Sequence, residues 1–117
     1  MMDATEQDRE DAFVLRVARV ESDRNPRAWG DNDYAVGQWQ DHASYYASWG
    51  PKIADFGGEE RSWNWCFEFA IRRFFRAARQ MYPGMTDLQI AMARHLHGQI
   101  KLGGWDAAYV TKWNKFA

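Results

Sequence analysis

A chain of 117 residues can bury one hydrophobic core but not two, so a single domain covering residues 1–117 is expected. Its 15 Lys and Arg stand against 16 Asp and Glu, which excludes the strong positive field that draws nucleic acid or an anionic membrane surface. The 7 Trp, 5 Tyr and 7 Phe exceed what a small core consumes and leave rings for a binding groove.

The opening segment MMDATEQDREDAF is acidic and carries neither the basic start nor the apolar run of a signal peptide. Synthesis in the cytoplasm is therefore expected, with delivery by another factor if the target lies outside. No stretch of about 18 uninterrupted apolar residues follows, so no membrane insertion is expected.

In chain order, Phe13, Val14, Val17, Ala18 and Val20 recur at a helical period, which predicts a first helix over 5–22. Asn25-Pro26 ends it, because proline lacks an N–H and pushes its predecessor out of the helical region. The segment 27–40 is rich in Gly, Asp and Asn and predicts a loop with a small hairpin at 34–39. A short helix is expected over 42–49 before Gly50-Pro51, and Gly57-Gly58 marks a further break.

The central helix is predicted over 60–82, with Phe67, Ala70, Ile71, Phe74, Ala78 and Met81 on one side and Arg72, Arg73, Arg76 and Arg79 on a solvated other side. Apolar residues spill round it at Trp63, Trp65 and Phe69, predicting burial over much of its surface. Pro83-Gly84 stops it, and TDLQ at 86–89 is a capping box opening a helix that runs to His97. Gly103-Gly104 precedes a last helix over 105–115, with Trp105, Ala108, Tyr109, Val110 and Trp113 available for packing. The layout is mainly α: about five or six helices with a minor β-hairpin or loop region near residues 30–40.

One residue conflicts with this pattern. Positions 14, 17, 18 and 21 share a helix face, so Glu21 continues an apolar stripe. It also lies in the last turn, where the negative end of the helix dipole disfavours another negative charge. Desolvation and dipole both push a carboxyl pKa upward, as a general acid working near neutral pH requires.

The arrangement Glu21-Ser22, Asn25-Pro26, Ala28 and Ala35-x-Gly37-x-x-Gln40 resembles the catalytic segment of lysozyme-like lytic transglycosylases and goose-type lysozymes. The resemblance is tight over residues 14–40. It implies an α+β lysozyme-like fold in which Glu21 is the essential acid, the glycine allows a close approach beside it, and Gln40 lines the glycan groove or holds Glu21. Later, Ala93-Arg94 to Gly98, Tyr109 and Trp113-x-Lys115 look like the late segment of small phage lysozyme-like proteins. There His97-Gly98-Gln99 stands where Asn-Gly-Gly is the pattern, and His97 can donate one hydrogen bond at that place.

The resemblance implies a peptidoglycan substrate and cleavage of the β-1,4 bond after N-acetylmuramic acid, by a monomeric phage or prophage endolysin or virion-associated lysin. Glu21 would protonate the glycosidic oxygen and then take the proton from the sugar 6-hydroxyl, leaving a 1,6-anhydro end. Hydrolysis would instead need a second carboxylate to hold water, for which Asp31, Asp33 and Asp41 are candidates by proximity in sequence. Ser22 either supports the acid or caps the helix end. Trp39, Tyr45, Tyr46 and Trp49 offer stacking faces for sugar rings or belong to the core. Tyr109, by resemblance, lies across the cleft or packs within it. An alternative keeps the fold without the chemistry: an inactive structural or glycan-binding module of a phage particle or secretion machine.

Other chemistries fit less well. His95 and His97 point about 200° apart on a helix and do not share a metal. Asp31-x-Asp33 begins like a calcium loop, but Ala35 occupies the next ligand position. No metal site and no cofactor are expected. Cys66 sits in the apolar run WNWCFEFA and is read as a buried small hydrophobe rather than a nucleophile.

Overall fold

The computed structural model describes residues 4–30, 35–50 and 60–117, with the side chains of 60–63 excepted. Among these the protein is mainly helical, with a small three-stranded antiparallel sheet, and forms a single small domain. Helix α1 spans Ala4–Ser22, and its stripe of Phe13, Val14, Val17, Ala18 and Val20 is buried as the periodicity requires. It closes through a left-handed turn at Asp23 (φ 53°) and Arg24 (φ 66°), whose N–H groups bond back to the carbonyls of Arg19 and Ala18. The proline that was expected to end the helix therefore follows an end already made by the backbone.

The loop segment carries three two-residue strands in the order β1-β2-β3: β1 (Trp29–Gly30), β2 (Ala35–Val36) and β3 (Asp41–His42). The register pairs Trp29 with Val36 and Ala35 with His42. The expected hairpin over 34–39 is thus displaced, and part of it, with Asp31, Asp33 and Tyr34, lies outside the described residues. Residue 42, expected inside the next helix, instead ends β3 and is the N-cap of α2 (Ala43–Trp49). The Gly57-Gly58 break also lies outside the described residues.

Helix α3 (Glu60–Met81) is the central support. Ala70, Ile71, Phe74, Phe75 and Ala78 are fully buried on it. Phe75 meets Phe13 of α1 at 4.6 Å between ring centroids, and Phe74 meets Tyr45 and Trp49 of α2 at 5.8 and 5.0 Å. Two expectations need correction here. Trp65 and Phe69 are not buried but exposed, covering one another edge to face at 4.6 Å. The arginine side is not simply solvated either, because α1 presents acids to it.

Glu10 of α1 is 0% exposed, and Arg72 and Arg76 both donate to its carboxylate. Arg72 also donates to Asp11, and Arg79 to Glu6. Burial alone would raise the Glu10 carboxyl, but the hydrogen bonds from Arg76 and Arg72 outweigh it and hold the group below its ordinary value. A depressed carboxyl contributes stability that is fully present above the unfolded pKa and lost as pH falls through the folded one. Glu10→Ala is accordingly expected to cost about 2 kcal/mol near neutral pH. Urea unfolding at about pH 7 and about pH 3 checks this, with the deficit shrinking in acid.

Helix α4 (Asp87–His97) begins at the capping box that the sequence predicts: Thr86 accepts from the Gln89 N–H, and Gln89 accepts from the Thr86 N–H. Gly98, at φ 62°, closes it in the left-handed conformation. Helix α5 is shorter than predicted, Ala107–Lys115, because the Asp106 side chain accepts from the Tyr109 N–H and fixes the start there. Trp105, expected to pack, precedes the helix and is 69% exposed, and Ala108 also faces outward. Tyr109 and Trp113 are buried, and Arg16 ties α5 to α1 by donating to the Trp113 carbonyl from above its ring. Among the described residues no helix is long and apolar enough to cross a membrane.

Candidate active site

The ends of α1 and α4, the β3 strand and the start of α2 surround a cleft of about 580 Å³. Glu21, Gln40, Asp41, Tyr45 and His97, five of the residues singled out from the sequence, line it together with Arg94 and His95. Glu21 reaches it because the stripe of α1 is packed down, leaving the carboxyl at the edge of the apolar face with 14% of its side chain exposed. Desolvation raises its pKa, opposed by Arg94, His95, Lys112 and His42.

The charge beside Glu21 comes from Arg94, which is buried in the middle of the domain. Its guanidinium donates to the Trp39 carbonyl at 2.8 Å and to the Asp41 carboxylate, stands 4.8 Å over the Tyr45 ring, and reaches Glu21 Oε1 only at 3.9 Å. Asp41 has 0% of its side chain exposed, and burial pushes its carboxyl up to about 6, with Arg94 pulling the other way. Two largely desolvated carboxylates thus share one buried cation. Asp41 holds that cation by direct hydrogen bonding, while Glu21 has only the longer contact. Burial raises both carboxyls, and sharing one cation makes the two titrate as a coupled set.

On its other side Glu21 faces His95, whose Nδ1 lies 3.9 Å from Oε1. His95 Nε2 is 2.9 Å from Asp106 Oδ2, and the ring stacks on Tyr109 with centroids 4.4 Å apart. Sequence spacing does not show this arrangement, and the Asp cap signal at 106 is the one cue it offers. For Arg94 the cue was stronger: a cation following Ile90, Ala91 and Ala93 on a buried helix face mirrors the anomaly at Glu21.

Several expected site residues do other work. Ser22 donates to the Gln38 carbonyl at 2.6 Å and accepts from the Asn25 N–H, so it joins the helix end to the loop and does not line the cleft. Trp39, expected to offer a stacking face, is 4% exposed and donates its indole N–H to the Val14 carbonyl. It is core, because the β2–β3 turn points it inward onto α1. Tyr109 lies beneath His95 rather than along the cleft wall, and its hydroxyl has no hydrogen-bond partner among the described residues. Burial pushes the Tyr45 phenol up to about 12, so it remains a neutral donor. Trp49 donates to the Gly98 carbonyl at 3.1 Å, and Tyr46 packs edge-on against Phe67.

Gln40 lines the cleft, but its amide nitrogen donates to the Ala28 and Gly37 carbonyls, which braces the loop. Its backbone is left-handed (φ 52°), a conformation a non-glycine residue holds only when its surroundings impose it. Gly37 (φ 84°) makes its close approach not to Glu21 but to α3: a Cβ there would stand 2.8 Å from Asn64 Oδ1. The same Asn64 oxygen accepts from the Gln38 N–H and so anchors the loop. His97 reaches the cleft with Nε2 placed 2.9 Å from the Gly103 carbonyl. Asp41, a candidate second carboxylate, is committed to Arg94, and Asp31 and Asp33 lie outside the described residues. No family model, no curated protein and no solved structure matches the chain.

Proposed function

We propose that the protein cleaves peptidoglycan glycan strands at the β-1,4 bond after N-acetylmuramic acid, with Glu21 as general acid and then base. The observation that carries this reading is the desolvated Glu21 carboxyl at the cleft edge, beside a buried cation already held by Asp41. The likeness of residues 14–40 to lysozyme-like lytic transglycosylases supports the same reading from the sequence side. A protonated Glu21 gives its proton to the glycosidic oxygen as the bond breaks and charge develops on the sugar ring. The resulting carboxylate then accepts the proton of the sugar's own 6-hydroxyl, which closes a 1,6-anhydro ring.

The pairing of Asp41 with Arg94 favours this one-carboxylate route over hydrolysis, since a carboxylate already bonded to a guanidinium is a poor base for water. Incubation with purified cell walls, followed by mass analysis of the released sugar ends, tests the assignment. Anhydro ends, lighter by one water than reducing ends, are expected. Reducing ends would overturn the anhydro route, and no release of soluble fragments would overturn the enzymatic reading itself.

A second reading draws on the wall formed by residues 97–99. Trp49 is bonded to the Gly98 carbonyl and His97 to the Gly103 carbonyl, so two polar groups that could hold a sugar are engaged within the protein. Contacts withheld from a sugar cannot position it for cleavage, which favours a structural module of the same fold without turnover. Incubation with cell walls that neither releases fragments nor retains the protein on the wall would select it.

A further inference from the structure

Glu21, Asp41 and Arg94 leave one question about the site: what stands against the free side of the acid? A second base for water does not fit there. The catalytic pairs of glycosidases lie about 5–5.5 Å apart when the second group attacks the sugar, and about 6.5–9.5 Å apart when it activates water. His95 Nδ1 is only 3.9 Å from Glu21 Oε1, too close for either task and about one ångström from hydrogen-bond contact.

Everything around the ring serves to fix it. Asp106 caps α5 by accepting from the Tyr109 N–H through Oδ1 while its other oxygen faces His95 Nε2 at 2.9 Å. Tyr109, one helical turn on, supplies the surface on which the imidazole stacks at 4.4 Å. One short segment thus sets both the plane of the ring and the nitrogen that carries hydrogen. With Asp106 ionised, Nε2 donates, and the neutral ring turns the Nδ1 lone pair toward Glu21. Charge on Asp106 is favoured by the hydrogen bonds from His95 and the Tyr109 backbone.

We infer that His95, oriented by Asp106 and Tyr109, is a positioning residue for Glu21: its neutral ring accepts from the protonated acid, and its protonated ring donates to the carboxylate. The inference rests on the reading of Glu21 as the acid. The other charged or titratable groups facing them are Arg94 on α4, Asp41 and His42 at β3, and Tyr109 and Lys112 on α5. Of these, Arg94 donates to Asp41 and the Trp39 carbonyl and reaches Glu21 at 3.9 Å, while His95 stands between Glu21 and Asp106.

The test uses the full chain labelled with carboxyl-13C glutamate and ring-15N histidine, followed by NMR across pH, with Glu21→Gln and His95→Asn assigning the two signals. Wild type is expected to show the Nε2–H tautomer at His95 and a Glu21 carboxyl signal that moves in two steps, one coinciding with the His95 ring. In His95→Asn the Glu21 signal is expected to collapse to one step at higher pH than the first wild-type step. Asp106→Asn, which keeps a capping oxygen, is expected to mix the His95 tautomers while Glu21 remains coupled. A Glu21 titration unchanged by His95→Asn, or an Nδ1–H tautomer in wild type, would overturn the inference. These signals do not depend on turnover, so failure to cleave cell walls would count against the proposed activity and not against the pairing. With cleavage established, the alkaline limb of the pH–rate profile is expected to move with the Glu21 signal in His95→Asn, a response that loss of packing alone would not give.

Discussion

Glu21→Gln is expected to reduce the rate of cell-wall cleavage by about 10²- to 10⁴-fold, the usual contribution of a positioned acid and base, while binding to cell walls persists. The same variant is expected to melt no lower than wild type near neutral pH, which separates a chemical defect from a folding one. The sign follows from the raised pKa of Glu21. A carboxyl that holds its proton more tightly when folded costs stability as pH rises through the region between its unfolded and folded values. An amide at the same place does not ionise and carries no such cost. The stability difference in favour of Glu21→Gln should therefore grow on going from acid to neutral pH, and thermal melts at several pH values check it. The rate has the opposite dependence: wild-type activity is lost as pH rises through the Glu21 pKa, because only the protonated form can donate. A variant that clears cell walls at the wild-type rate would remove Glu21 from the chemistry.

Arg94→Met is expected to be the most destabilising single substitution at the site, by about 3–5 kcal/mol near neutral pH. Methionine fills much of the volume, so the loss is mainly electrostatic. Asp41, with none of its side chain exposed, would lose its only ion-pair partner among the described residues, and the Trp39 carbonyl would lose a donor. Lysine would not substitute well, since one ammonium cannot keep the planar set of contacts to Asp41, Trp39 and Tyr45. The pH dependence identifies the cause. Asp41, already pushed up to about 6, would rise further without its cation, so the deficit of Arg94→Met should shrink in acid as the carboxyl becomes neutral. Adding Asp41→Asn to Arg94→Met should recover part of the loss at neutral pH, measured as a non-additive double-mutant cycle in urea. A deficit independent of pH would mean that packing, and not the buried charge, is what Arg94 supplies.

The two carboxylates of the cleft differ in how closely each holds the buried cation. Asp41 and Glu21 are both desolvated, and both are close to the same guanidinium. Asp41 bonds it directly while Glu21 lies at 3.9 Å, which leaves Glu21 with the weaker hold on the cation. Of the three aspartates singled out in the sequence for a second catalytic role, Asp41 lines the cleft and is bonded to Arg94, and the other two lie outside the described residues.

The sequence by itself determined the local elements and the anomaly. Apolar spacing placed α1, α3 and α4 to within a residue or two, and the Thr86 to Gln89 pattern marked the start of α4 because both partners of a capping box lie within one turn. Glu21 was legible for a related reason: a helix period reveals which face a residue occupies, so a carboxylate on the buried face stands out without knowledge of what covers it. What covers it was decided only by the tertiary structure. Arg94 meets Asp41 across 53 positions of sequence, and Arg76 meets Glu10 across 66, distances at which periodicity carries no information. Trp39 could as well have faced the cleft as the core until the β2–β3 turn aimed it at the Val14 carbonyl. His95 likewise acquires a role only when α5 brings Tyr109 beneath it and Asp106 beside it. A helix pattern fixes which way a side chain points, and packing alone selects the charge or ring it finds there.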